Sequence, residues 1–173
     1  MLTPALAQSL HMLGITPALL QARGLQPCAE ATQLTVAEVG PEGREFLLEP
    51  AAARAWQAMK EAAARDGVAL CLVSAFRSVG RQTEILRDKL TAGESIEEAL
   101  RWVAPPGYSE HHSGRAVDIG VPGEPALEES FETSDAFAWL QVRAASHGFH
   151  LSYPRGNPSG YGYEPWHWCY QAR

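Results

Sequence analysis

Cysteine, clustered positive charge and long apolar runs are all scarce in this chain. Its three cysteines, Cys28, Cys71 and Cys169, are widely spaced and form no Cys-x-x-Cys pair. That excludes an all-cysteine structural zinc site. Fourteen Lys and Arg stand against 20 Asp and Glu, for a formal net charge of −6, and no long basic run occurs. A sequence-independent grip on nucleic acid or on an anionic membrane needs a clustered positive field, so neither is an expected partner. No stretch approaches the roughly 20 apolar residues that a membrane-spanning helix requires. Internal repeats and low-complexity tracts are absent as well.

What is present suits one globular domain. At 173 residues and 46% hydrophobic content the chain can bury a full core, and its 20% of charged residues is ordinary for a soluble protein. The N-terminus holds Ala5-Leu6-Ala7, faintly like an export cleavage site. It has no basic start, however, and Gln8, Ser9 and His11 interrupt the apolar stretch, so it reads as an amphipathic helix. The expected setting is cytoplasmic and the expected state a monomer. A leader lost ahead of residue 1 would make the protein periplasmic or exported instead.

Residues 3–23 have helical spacing with a break near Gly14, and Thr16-Pro17 offers a fresh cap and a first-turn proline. Residues 32–39 alternate and are β-branched, which predicts a strand. Gly40 to Gly43 turns the chain, and Glu45–Leu48 returns as a second strand. Pro50 to Arg65 is a helix with Ala52, Trp56, Met59 and Ala63 on one face, ended by Gly67. The apolar run 68–76 is of strand length, and Cys71 within it reads as a small core residue. Helices follow over 78–90 and 95–103, the second opened by a capping box at Ser95. A short strand is expected over 115–120, a helix over 134–147, and a last strand over 163–170. Strands and helices mix without βαβ alternation, so the fold class is α+β with an antiparallel sheet. Residues 1–30 are expected to form an N-terminal helical extension, and 31–173 the main domain.

The chemistry concentrates in Ser109-Glu110-His111-His112-Ser113-Gly114-Arg115-Ala116-Val117-Asp118. Zinc accepts neutral imidazole and carboxylate, and a catalytic site uses three protein ligands with one position open. His111 precedes the strand and Asp118 lies on it, with Gly114 between them to let the backbone turn. Ala116 and Asp118 face one side, Val117 and Ile119 the other. The third ligand comes from Glu164-Pro165-Trp166-His167, with His167 as ligand and Glu164 as general base. Positions three apart on a strand face opposite ways, so a kink or bulge is expected there. Each residue has a plainer reading. A His-His pair is often surface polarity, Asp118 alone could be a cap, and Glu164 a solvated edge carboxylate. His11, His147 and His150 read as structural or surface residues. Cys169, two positions beyond His167, leaves a ligand role open.

These residues together resemble the VanY-type D-alanyl-D-alanine carboxypeptidase family of zinc metallopeptidases. Its Ser-x-His-x-x-Gly-x-Ala-x-Asp pattern is complete from Ser109 to Asp118, and its Glu-x-x-His is complete from Glu164 to His167. Upstream, Ser74-Ala75-Phe76-Arg77-Ser78 with Gln82 is similar to another family segment, Phe76 replacing the usual tyrosine. Residues 104–108 and 160–163 also fit, so the likeness runs from about residue 50 to 170. It implies a small α+β domain with a central antiparallel sheet flanked by helices, the hedgehog/D-Ala-D-Ala peptidase arrangement. It implies Zn²⁺ held by His111, Asp118 and His167, with Glu164 as catalytic base. Arg77 is implied near the scissile bond or the substrate carboxylate, with Gln82 and Ser109 helping to hold that carboxylate. Tyr153, Tyr161, Tyr163 and Trp166 supply aromatic walls or belong to the core, and the loop 154–162 is a candidate lid. The implied partner is a peptidoglycan stem peptide or muropeptide, with a terminal D-alanine released. The alternatives are a cell-wall endopeptidase or lysin of the same family, or a non-catalytic zinc- or wall-binding module. Glu164, present at its expected spacing, separates an enzyme from the last of these.

Overall fold

The helix Pro50–Arg65 anchors the architecture. Proline at its first turn and the Glu49 carboxylate accepting from the Ala51 and Ala52 amides start it, and its Ala52, Trp56, Met59 and Ala63 are all fully buried. The computed structural model describes residues 3–172. In chain order the elements are α1 (Pro4–Met12), α2 (Pro17–Ala22), β1 (Thr35–Val39), β2 (Glu45–Leu48), α3 (Pro50–Arg65), β3 (Cys71–Ser74), α4 (Val79–Thr91), α5 (Ile96–Ala99), β4 (Ala116–Gly120), α6 (Asp135–Arg143), β5 (Phe149–Leu151) and β6 (His167–Tyr170). Strands β1 and β2 form an antiparallel hairpin, and a second antiparallel sheet runs β3-β4-β6-β5. The class is α+β.

One face of the larger sheet is structural. Leu72, Val117, Ile119, Phe149 and Trp168 pack with α3, the hairpin and α6 into the main core, alongside Leu48, Trp56, Met59 and Leu140. Truncating such side chains to alanine costs ~2–5 kcal/mol each. The opposite face carries Ala116, Asp118, His167 and Cys169, because side chains alternate along a strand. A separate cluster joins Leu10, Leu13, Ile15 and Leu20 of the N-terminal segment to Leu86, Ala99, Leu100, Val103 and Tyr108. The N-terminal helices therefore pack on the α4–α5 side of the body.

Several expected elements change their bounds. The apolar run 68–76 yields a strand only over Cys71–Ser74; its register slips between Leu72 and Ser74, and Phe76 donates to the Leu47 carbonyl instead. Cys71 is half-buried rather than a core residue. The expected helix over 95–103 keeps its capping box but ends at Ala99 in turns. The helix over 134–147 is capped by Ser134 and passes into a 3-10 turn at Ala144. β5, directly after Gly148, was not expected: three residues are too few for an alternating pattern to show. The last strand begins at His167, not Tyr163. The amide of His167 donates to the Glu164 carbonyl at 3.1 Å, so Glu164 to His167 is a turn.

Candidate active site

Strand register assembles the site. β4 and β6 pair so that Asp118 lies opposite His167, and β3 sets Ser74 opposite Asp118 on the other side. Directly opposed residues project to the same face, so one row across the sheet delivers a carboxylate flanked by an imidazole and a hydroxyl. His111 arrives from the 3-10 turn Glu110–Ser113, closed by Gly114 at φ +66°. Glycine is needed there twice over. The left-handed backbone suits it, and a Cβ would fall 2.9 Å from the Glu49 nitrogen. The turn at Glu164 is the expected kink, and it brings that carboxylate to 3.8 Å from His167 Nδ1.

His111, Asp118 and His167 each offer a ligating atom within 4.8 Å of the others, and all three residues are buried. The His111 ring lies 3.3 Å from Asp118 through Nε2, and its Nδ1 meets the Ala75 carbonyl at 2.7 Å. A carbonyl only accepts, so Nδ1 carries the proton and the neutral ring turns its bare Nε2 inward. His167 is held through both nitrogens: Nδ1 is 3.0 Å from Asp118 Oδ1, and Nε2 is 2.9 Å from Glu110 Oε2. Ser152 donates a further hydrogen bond to the same Glu110 oxygen. Imidazole ligands are commonly oriented in this way, the remote nitrogen donating to a carboxylate or a backbone carbonyl. The set of two imidazoles and one carboxylate fits a catalytic zinc site with an open position.

Electrostatics follow from burial against charge. Burial alone would raise Asp118, but His111 and His167 outweigh it and hold the carboxyl well below the usual carboxylate range. Burial would likewise lower His167, yet Asp118 and Glu110 raise it to about 10. A metal taking Nδ1 therefore displaces a proton. Burial pulls His111 down despite Asp118, keeping its ring neutral. Glu164 is pushed up to about 7, first by burial and then by the Asp118 and Glu110 carboxylates, against His167 and Arg77. A buried carboxyl titrating near neutrality is suited to exchanging protons.

Arg77 enters the same cleft. Its guanidinium donates to Gln82 Oε1 and to Ser74 Oγ, both at 3.0 Å, and stands 4.0 Å from Asp118. Gln82 is fully buried and its amide also donates to the Ala104 carbonyl at 2.7 Å. Gln82 thus holds Arg77 in its place in the cleft. Ser109 is buried and its hydroxyl accepts the His111 amide. Tyr153 lies with its ring centroid 4.7 Å from that of His167. Trp166 belongs to the main core and also lines the cleft. Together these residues line a cavity of about 560 Å³, whose lip includes Trp102, Leu127 and Glu128. Cys169 stands on the same face as His167 but outside the ligand cluster, and burial pushes its thiol up to about 12.

Two contributors escaped sequence reasoning. Glu110 had no role assigned to it within the Ser109–Asp118 segment, yet it holds the far side of His167. His112 is fully buried, not surface polarity: Nδ1 meets the Arg77 carbonyl at 2.6 Å, and Nε2 accepts the Gly107 amide at 3.0 Å. It fixes the backbone that carries Arg77. A 3-10 turn has neither the period of a helix nor that of a strand, so no pattern marked either residue.

A family model described as VanY, D-alanyl-D-alanine carboxypeptidase, matches residues 45–173. The chain belongs to the VanY family. A D-alanyl-D-alanine carboxypeptidase of Enterococcus faecalis (strain ATCC 700802 / V583) is 33% identical over 124 residues, covering 66% of this chain and 44% of that one. The chain spans about half the length of the curated relatives it matches. Among solved structures, the LdcB LD-carboxypeptidase superposes with TM-score 0.73 at 32% identity, over 82% of this chain and 69% of the other. A VanY D,D-pentapeptidase variant solved with Zn(II) gives TM-score 0.63 at 28% identity, over 84% and 82%. The VanY match begins after the N-terminal helices, which lie outside it.

Proposed function

We propose that this VanY-family chain is a zinc-dependent carboxypeptidase that releases a terminal D-alanine from peptidoglycan stem peptides or their soluble fragments. One observation carries the reading: a half-buried guanidinium, aimed by Gln82 and Ser74, beside a cluster of two imidazoles and a carboxylate. The cleft is otherwise acidic, with Asp118, Glu164 and Glu110 around it. A fixed guanidinium in such surroundings suits a chain-terminal carboxylate or a carbonyl gaining negative charge. Relatives support the substrate class, since one similar structure is an LD-carboxypeptidase and another is VanYB in complex with D-alanine-D-alanine.

His111 Nε2, Asp118 and His167 Nδ1 would hold the metal. When bound, Zn²⁺ supplies Lewis acidity, polarising a carbonyl and lowering the pKa of water from ~15.7 towards ~7. Glu164 takes a proton from the attacking water and hands it to the departing amine. Arg77 stabilises negative charge as the carbonyl carbon becomes tetrahedral, and its fixed position costs no reorganisation at that moment. Tyr153 and Trp166 shield the reacting atoms from bulk water.

The test is incubation of zinc-loaded protein with tetrapeptide and pentapeptide stems, with products weighed by mass spectrometry. Release of one alanine from either supports a carboxypeptidase and assigns L,D or D,D preference. An internal cut instead points to the endopeptidase reading, and no cut at all contradicts an enzyme.

A further inference from the structure

Arg23, ahead of the family match, reaches the loop that borders the cleft. Arg23, the residue that caps α2, donates from Nε to the Ser159 carbonyl at 2.7 Å and from Nη1 to the Leu100 carbonyl at 2.8 Å. Its guanidinium carbon sits 4.4 Å from the centre of the Tyr161 ring. Ser159 and Tyr161 belong to the loop that leads into Glu164, and Leu100 belongs to the body on the far side. One guanidinium thus ties three separate stretches of chain together.

The loop is held by further contacts of the same kind. The Asn157 side chain accepts the Tyr161 amide at 3.2 Å and donates to the Tyr161 carbonyl at 2.9 Å. Gly162 donates to the Arg101 carbonyl at 2.7 Å and lies flat on Trp102, where a Cβ would fall 2.2 Å from the indole. Arg155 pairs with Glu132 at 2.9 Å. The expected lid is therefore strapped down.

The strapping has a consequence inside the cleft. The Tyr161 ring centre is 4.8 Å from that of Tyr153, which in turn lies tilted against His167. Tyr161 lines the cavity, and its hydroxyl is buried and makes no hydrogen bond among the described residues. A buried hydroxyl without a partner is costly, and an acceptor oxygen on a bound peptide would relieve it.

We propose that Arg23 is a positioning residue for the cleft, clamping the loop over 157–163 so that the Tyr161 hydroxyl is presented to an acceptor on the substrate peptide. The clamp stands on the contacts alone; the identity of the substrate rests on the carboxypeptidase reading.

The experiment measures amide hydrogen exchange and stem-peptide kinetics on the full zinc-loaded chain and on Arg23→Gln, Arg23→Lys, Tyr161→Phe and the Arg23→Gln/Tyr161→Phe double variant. Arg23→Gln should speed exchange at Tyr161 and Gly162 by roughly tenfold or more while β4 and β6 keep their protection. It should raise KM by roughly five- to tenfold, as Tyr161→Phe does, with kcat changed less than about twofold. The double variant should be no worse than the single ones, because both remove the same contact. Arg23→Lys, which keeps the charge with fewer directed donors, should fall between. Unchanged exchange in the loop overturns the clamp, and KM effects that multiply independently overturn its link to Tyr161. If Arg23→Gln loses protection everywhere, Arg23→Lys decides: faster exchange confined to 157–163 supports the clamp, and a global rise overturns it. If the parent chain releases no alanine, the carboxypeptidase reading fails, while the exchange data still judge the clamp.

Discussion

The floor and the wall of the cleft are built on different principles. The floor is main chain: the β4–β6 ladder sets Asp118 against His167, and the neighbouring turn adds His111. The wall relies largely on side chains: Arg23, Asn157 and Arg155 each fasten the loop before Glu164 through a few directed bonds, beside main-chain bonds such as that from Gly162 to the Arg101 carbonyl. A ladder holds its residues collectively, so losing one side chain leaves the others in place. A loop held by individual bonds gives way at each one. On the proposed reading the chemistry sits on the region held by the ladder, and the shape of the substrate space on the loop held by individual bonds.

The largest break in that contrast is at Glu164, which belongs to neither region, sitting at the turn where the wall joins β6. Glu164→Ala should lower kcat by ~10²–10⁴ while zinc content stays that of the parent. Next comes Arg77. Arg77→Lys should lose ~10²–10³ in kcat/KM, because a point charge cannot reproduce the fork that Gln82 and Ser74 hold.

A stability measurement sharpens the same point. Glu164 titrates near 7 in the metal-free fold against an ordinary 4.5, a difference worth about 3 kcal/mol. The unfolded chain gives up this proton first, so stability falls as pH rises from about 4.5 through 7. Glu164→Gln should therefore raise the melting temperature of chelated protein at pH 8 and leave it unchanged at pH 4. A gain at both pH values would mean that packing, not charge, is responsible. The smallest expected effect is on metal affinity. Glu110→Gln, which weakens the hold on His167 Nε2, should cost ~10–100-fold in zinc affinity by chelator competition.

The floor was the legible region. The spacing of His111, Gly114 and Asp118, and of Glu164 and His167, marks the cluster in the sequence itself, and the conflict between strand alternation and Pro165 marks the turn. Helix α3 was legible for a local reason, since Pro50, its alanine-rich apolar face and Gly67 all lie within a few residues of one another. The wall was not legible. Arg23 acts on a carbonyl 136 residues away, and a hydrogen bond to a backbone oxygen leaves no trace in the identity of the residue that accepts it. Glu110 and His112 were hidden in a turn without periodicity, and β5 was too short to alternate.

Anomalous scattering at the zinc edge from a crystal of zinc-loaded protein tests the floor most directly. One peak per chain is predicted, bounded by His111 Nε2, an Asp118 oxygen and His167 Nδ1, with Glu110 still on His167 Nε2. A peak bound through His167 Nε2 and Glu110, a peak elsewhere, or no peak at all would contradict it.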